Sequence, residues 1–99
     1  MKNYKFIVRD EADLEISDAY FWYESKAQGL GERYLTFLDD CFKTIRTNPN
    51  SFQKVYKEKR MAVVLTFPFV VLYHITDDQI IISSVFHTSK NPKKWKKRK

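Results

Sequence analysis

Phe69-Val70-Val71-Leu72-Tyr73-His74-Ile75, then Thr76-Asp77-Asp78, then Gln79-Ile80-Ile81-Ile82-Ser83-Ser84-Val85-Phe86, is a pair of strand-forming runs around a polar joint. β-Branched and aromatic residues dominate both runs and aspartate suits a tight turn, so the segment reads as an antiparallel hairpin. Val70-Val71-Leu72-Tyr73 and Ile80-Ile81-Ile82 are apolar at consecutive positions and put apolar side chains on both faces of a sheet, which places these strands at its centre. Two more strands are predicted upstream, Ser51 to Tyr56 and Arg60 to Thr66, joined by Lys57-Glu58-Lys59 and followed by Phe67-Pro68. Connections this short force antiparallel neighbours.

Before Pro49 the apolar period is helical. Ala12, Ile16, Ala19, Tyr20, Tyr23 and Ala27 share one face of a first helix, with Asp10 as its expected N-cap and Glu11 and Asp13 near the positive end of its dipole. Gly29 is the expected left-handed stop. Leu30, Tyr34, Phe37, Leu38, Cys41, Phe42 and Ile45 mark a second helix, which Asn48-Pro49 closes, so the two form a hairpin. A short strand, Tyr4 to Arg9, precedes them. The expected fold is α+β: an N-terminal strand, a helical hairpin, then a four-stranded antiparallel sheet with the helices on one face.

Ninety-nine residues predict one domain, 1–99, ending in a basic tail, 90–99. The single cysteine, Cys41, cannot form an internal bridge and no charged-then-apolar leader opens the sequence, so the cytoplasm is the expected compartment. The apolar runs are far shorter than the roughly 20 residues needed to cross a bilayer, and no membrane role is expected. The two histidines and one cysteine lie far apart in sequence, and Gly29-Leu30-Gly31 lacks the lysine and serine of a phosphate loop, so neither a metal nor a cofactor is predicted.

The tail, Lys90-Asn91-Pro92-Lys93-Lys94-Trp95-Lys96-Lys97-Arg98-Lys99, holds seven basic and no acidic side chains; the other 89 residues sum to −1, so the net +6 belongs to the tail. Such a cluster attracts polyanions, or serves only as a solvated face. Trp95 favours a docking role, because an indole is costly to leave in water. Lys93, Lys94, Trp95, Lys96, Lys97 and Arg98 are the candidate residues for a target or nucleic acid. In the run Tyr20-Phe21-Trp22-Tyr23 successive residues step by about 100 degrees, so Phe21 or Trp22 must face away from the core, toward a partner or a second copy.

Ala12-Asp13-Leu14-Glu15-Ile16, Gly29-Leu30-Gly31, Asn48-Pro49, Arg60, Phe67-Pro68-Phe69 leading into Leu72-Tyr73, Val85-Phe86-His87, Lys90-Asn91-Pro92 and Trp95 occur in an order and spacing that resembles the RelE/ParE toxins of bacterial type II toxin-antitoxin systems, a family that includes plasmid stabilisation proteins. The resemblance implies the fold above, a growth-inhibiting toxin and a cognate antitoxin that wraps it; the charge of the tail predicts an acidic one. It leaves two targets open. ParE-like members act on DNA gyrase, whereas RelE-like members cleave mRNA on the ribosome with basic residues on the central strands. Val70 stands where such a nuclease has an arginine, and Met61 and Val63 where it has lysines. If chemistry persists, His87, Arg60 and Lys90 are the candidate catalytic residues, with histidine as acid or base. A relative that only binds its antitoxin is a third outcome, and a homodimer is compatible with all three.

Overall fold

A computed structural model describes residues 3–89. The elements run β1 (Lys5–Val8), α1 (Asp10–Lys26), α2 (Leu30–Thr47), β2 (Lys54–Tyr56), β3 (Lys59–Val63), β4 (Phe69–Thr76) and β5 (Gln79–His87). The fold is α+β, as expected, but the sheet has five strands in the order β1-β5-β4-β3-β2. β1 joins it parallel to β5, with Lys5 opposite Gln79 and Val8 opposite Ile82, so the predicted four-stranded antiparallel sheet is corrected to a mixed one. The hairpin β4–β5 sits in the interior of the sheet.

Alternation along β4 divides the molecule. Phe69, Val71 and Tyr73 pack with Tyr23, Tyr34, Leu38 and Ile45 in the core beneath the two helices. Val70 and Leu72 point to the other face, where they cluster with Phe86, Met61 and Val55. Between Leu72 and Tyr73 the pairing with β5 shifts by one residue, and Ser83 is the extra residue of this bulge.

The expected cap at Asp10 is also corrected. Arg9 still belongs to the ladder, since its N–H donates to the Ile82 carbonyl at 3.0 Å, while its own carbonyl accepts the Asp13 N–H at 2.9 Å. One extended residue thus ends the strand and starts the helix, and Asp10, Glu11 and Asp13 act through the helix dipole. At the hairpin, Gly29 takes φ 85°, which a side chain resists. Glu24 reaches forward to accept the N–H groups of Gly29 and Gly31 at 3.2 and 2.8 Å, so a carboxylate of α1 caps the start of α2.

β2 and β3 are shorter than predicted, because side chains hold the flanking backbone. The Arg60 guanidinium donates to the carbonyls of Asn50 and Phe52, at 3.0 and 2.6 Å, and the Tyr73 hydroxyl donates to that of Pro49 at 2.6 Å. These bonds bend residues 49–52 out of the ladder. Beyond Val63, Val64 pairs with Phe69 and Thr66 adopts φ 74°, making a turn of what sequence reads as strand. At the other side of the sheet β1 ends at Val8, and Glu15 covers the edge that β5 then exposes: its Oε1 accepts the Ser84 hydroxyl at 2.9 Å and the Val85 N–H at 3.0 Å. Among the described residues no helix is long and apolar enough to cross a membrane.

Candidate functional site

Of the predicted catalytic residues, Arg60 and His87 do not meet. Arg60 opposes Tyr73 and His87 opposes Phe69 across β4, which sets them about 13 Å apart along the strand. The guanidinium of Arg60 is bound to backbone carbonyls, as above. His87 closes β5: its Nδ1 accepts the Ser89 N–H at 3.1 Å and lies 2.8 Å from the Ser89 hydroxyl, while its ring meets Phe69 edge-on at 5.3 Å. The clefts beside it, each of about 210 Å³, are lined by Ala19, Trp22, Tyr23 and Phe69 on one side and by Glu15, Asp18 and Phe86 on the other. Apolar rings and carboxylates are poor company for a phosphodiester that gains negative charge during cleavage. Lys90, Lys93, Lys94, Trp95, Lys96, Lys97 and Arg98 lie outside the described residues.

Where the nuclease pattern calls for cations, side chains of this chain form an apolar floor. Val70 is 6% exposed, packs with Leu72 and Phe86 and touches Met61, and Val63 is its cross-strand partner. Cys41 is buried under α2, its Sγ 3.8 Å from the Val63 carbonyl, and burial pushes the thiol up to about 11. Such a thiol stays protonated and serves as core. Among the described residues no three His, Cys, Asp or Glu side chains are grouped to hold a metal.

Charge gathers elsewhere on the same open face. Lys59 precedes Arg60, whose partner is Tyr73, so Lys59 stands opposite His74, and its ammonium donates to the Ser83 hydroxyl at 2.9 Å. Burial first, then the charges of Lys59 and Arg9, hold the His74 imidazole below its ordinary 6.5. Burial and the Arg9 charge likewise lower Lys59. The linkage has a definite sign. The unfolded chain binds the His74 proton more readily than the folded one, so His74's contribution is fully present above about pH 6.5 and is lost as pH falls through the folded value. Urea unfolding at about pH 7.5 and about pH 5 should show a smaller acid loss in His74→Asn than in the parent.

The outward face of α1 carries the largest exposed apolar side chains near the hairpin: Leu14, Phe21 and Trp22 are 65, 67 and 56% exposed. Their spacing of seven and eight residues puts them on one stripe. The sequence singled out Phe21 and Trp22 but missed Leu14, whose isolated position carried no periodic signal. A second apolar surface, a groove of about 250 Å³, runs between α2 and the edge of β3, lined by Phe37, Cys41, Phe52, Val63 and Leu65.

Comparison with known proteins bears on this combination of a helical hairpin, a mixed sheet and exposed apolar faces. No curated protein matches the sequence. Among solved structures, the chain is similar to one from the "Chromosomal ParDE TA system from P. aeruginosa", with a TM-score of 0.65, 12% identity and 85% of this chain and 95% of that one covered. At that identity the likeness shows the fold alone. The family model described as "ParE toxin of type II toxin-antitoxin system, parDE" matches residues 6–92, from β1 past the end of β5, and the chain therefore belongs to the ParE toxin family of type II toxin-antitoxin systems.

Proposed function

We propose that the protein inhibits growth as a ParE-like toxin, binding a replication enzyme such as DNA gyrase without doing chemistry, and that a cognate antitoxin silences it in the cytoplasm. The observation that carries this reading is the apolar cluster of Val70, Leu72, Phe86 and Met61, which occupies the face where an RNA-cleaving relative needs cations. Removing several charge-stabilising groups from such a site costs orders of magnitude in rate. The separation of Arg60 from His87 supports the same conclusion. The tail supplies the field that would draw an anionic target or an acidic antitoxin.

For the antitoxin, the stripe Leu14–Phe21–Trp22 suits an amphipathic helix laid along α1, since apolar side chains spaced by two turns match the anchors of a facing helix. Apolar anchors govern dissociation and the tail's charge governs association. Induced expression with separate readouts of plasmid supercoiling and of translation tests the target. Supercoiling should be lost while amino-acid incorporation continues. Translation that stops first, with supercoiling intact, contradicts the reading.

A further inference from the structure

Charge in this chain is segregated by element. α1 holds six of the twelve acidic side chains and one basic one, −5 in all, whereas α2 sums to zero and residues 90–99 carry +7. Three of the acids, Glu11, Glu15 and Asp18, recur with Ala19 and Trp22 at the spacing of one helix face. That face borders both clefts beside His87: Trp22, Tyr23 and Phe69 make the first an apolar slot, and Glu15 and Asp18 give the second an acidic wall. Ala19, Phe69 and His87 line both, so one surface along α1 passes from aromatic to anionic. The described residues end at the apolar slot. Thr88 leaves the ladder by donating its N–H to the Pro68 carbonyl at 2.8 Å, and Ser89 donates its N–H back to His87 Nδ1 at 3.1 Å. The chain therefore turns at the end of β5 and brings Ser89 to the wall of the slot beside Trp22.

We propose that residues 90–99 fold back onto this surface, with the Trp95 indole in the apolar slot and Lys96, Lys97 and Arg98 over the acids of α1. Asn91-Pro92 suits the reversal, since this dipeptide favours turn initiation. The stretch from Ser89 to Trp95 reaches up to about 20 Å when extended, ample for a slot that Ser89 itself lines. Trp22 and Glu15 are about 10 Å apart along the helix axis, and the residues after Trp95 span about 13 Å, so the cations reach the carboxylates once the indole is seated. Order and charge both select this occupant: the slot comes first and the acids follow, as the indole comes first and the cations follow, and the tether keeps them near. A separate acidic segment would meet repulsion on the same surface. For an acidic antitoxin laid along α1, the docked tail turns that repulsion into attraction; the docking itself rests on neither that partner nor the target.

The test uses the full-length protein, isotopically labelled and free of antitoxin. Nuclear Overhauser contacts should connect the Trp95 indole with the Ala19 methyl group and the Phe69 ring. Trp95→Ala should shift the resonances of Ala19, Trp22 and His87 and leave Gln79, at the other end of β5, in place. Glu11→Lys combined with Asp18→Lys reverses two exposed charges without touching the Glu15 bonds to Ser84 and Val85. This double variant should weaken the Trp95 contacts roughly threefold, the scale of two exposed ion pairs. Raising salt from about 50 to about 500 mM tests the same charges without a substitution and should act in the same direction. Contacts unchanged on dilution are made within one chain, as the proposal requires; contacts that fade as a dimer dissociates assign the slot to the tail of a second copy and overturn it. The proposal is equally overturned by an indole that touches neither Ala19 nor Phe69, or by contacts that both the charge reversal and the added salt leave intact.

Discussion

Gly31→Ala should destabilise the protein by about 1–2 kcal/mol, and Gly31→Val by about 3 kcal/mol, although both residues form helix more readily than glycine. A Cβ at position 31 would lie 2.7 Å from the Tyr20 carbonyl oxygen, 2.7 Å from Glu24 Cγ and 2.8 Å from Tyr20 Cδ1. Glu24 can swing aside, but only by giving up the cap on the Gly31 N–H. The Tyr20 oxygen is backbone and cannot. Alanine recovers roughly 1 kcal/mol of helix propensity, less than the overpacking costs, so the sign is fixed by the close approach of α1 and α2. Gly29→Ala offers a contrast. No atom lies within 4 Å of its missing Cβ, and its cost of about 1 kcal/mol comes from φ 85° alone. Urea unfolding of the three variants should rank them Gly31→Val, Gly31→Ala, then Gly29→Ala; a neutral or stabilising Gly31→Ala would mean the helices separate freely at the hairpin.

Trp22→Ala should weaken binding of the cognate antitoxin about 30- to 100-fold, and Phe21→Ala somewhat less, with unfolding stability almost unchanged. Trp22 is more than half exposed, and among the described residues its ring meets the edge of Tyr23, at 5.1 Å between ring centroids, and the Lys26 ammonium, at 5.0 Å. Truncating it therefore removes little from the fold. In a complex the same indole would bury its area against a partner helix, and large aromatics at the centre of an interface carry most of the affinity. Calorimetry with purified antitoxin measures both variants. Unchanged affinity in both would place the antitoxin elsewhere, with the groove between α2 and β3 the next surface to mutate.

How much of this was legible in the sequence depends on the range over which each feature is determined. The hairpin β4–β5 and the helix α2 follow from local periodicity, and Gly29 and Asn48-Pro49 act within a few residues of themselves. The parallel pairing of β1 with β5 joins residues more than seventy positions apart and leaves no mark in the four residues Lys5–Val8, whose alternation suits any sheet edge. For the same reason Arg9 read as the end of a strand, and nothing suggested that it would stand beside Lys59 and His74. Arg60 read as a candidate for chemistry because arginine often serves there; its guanidinium instead ties down residues 50–52, a role set by two backbone carbonyls that sequence does not show. The apolar character of Val70, Met61 and Val63 was visible from the start. Their position on the open face gave it meaning.

The central claim is that this fold acts by binding, and it meets its most direct test on translating ribosomes. The purified full-length protein is added to ribosomes engaged on a defined mRNA, and the message is mapped by primer extension. The account predicts an intact message, with no codon-specific ends above those of a no-protein control. Robust cleavage at codon-defined positions that disappears in His87→Ala would contradict it and make the protein a ribosome-dependent endonuclease.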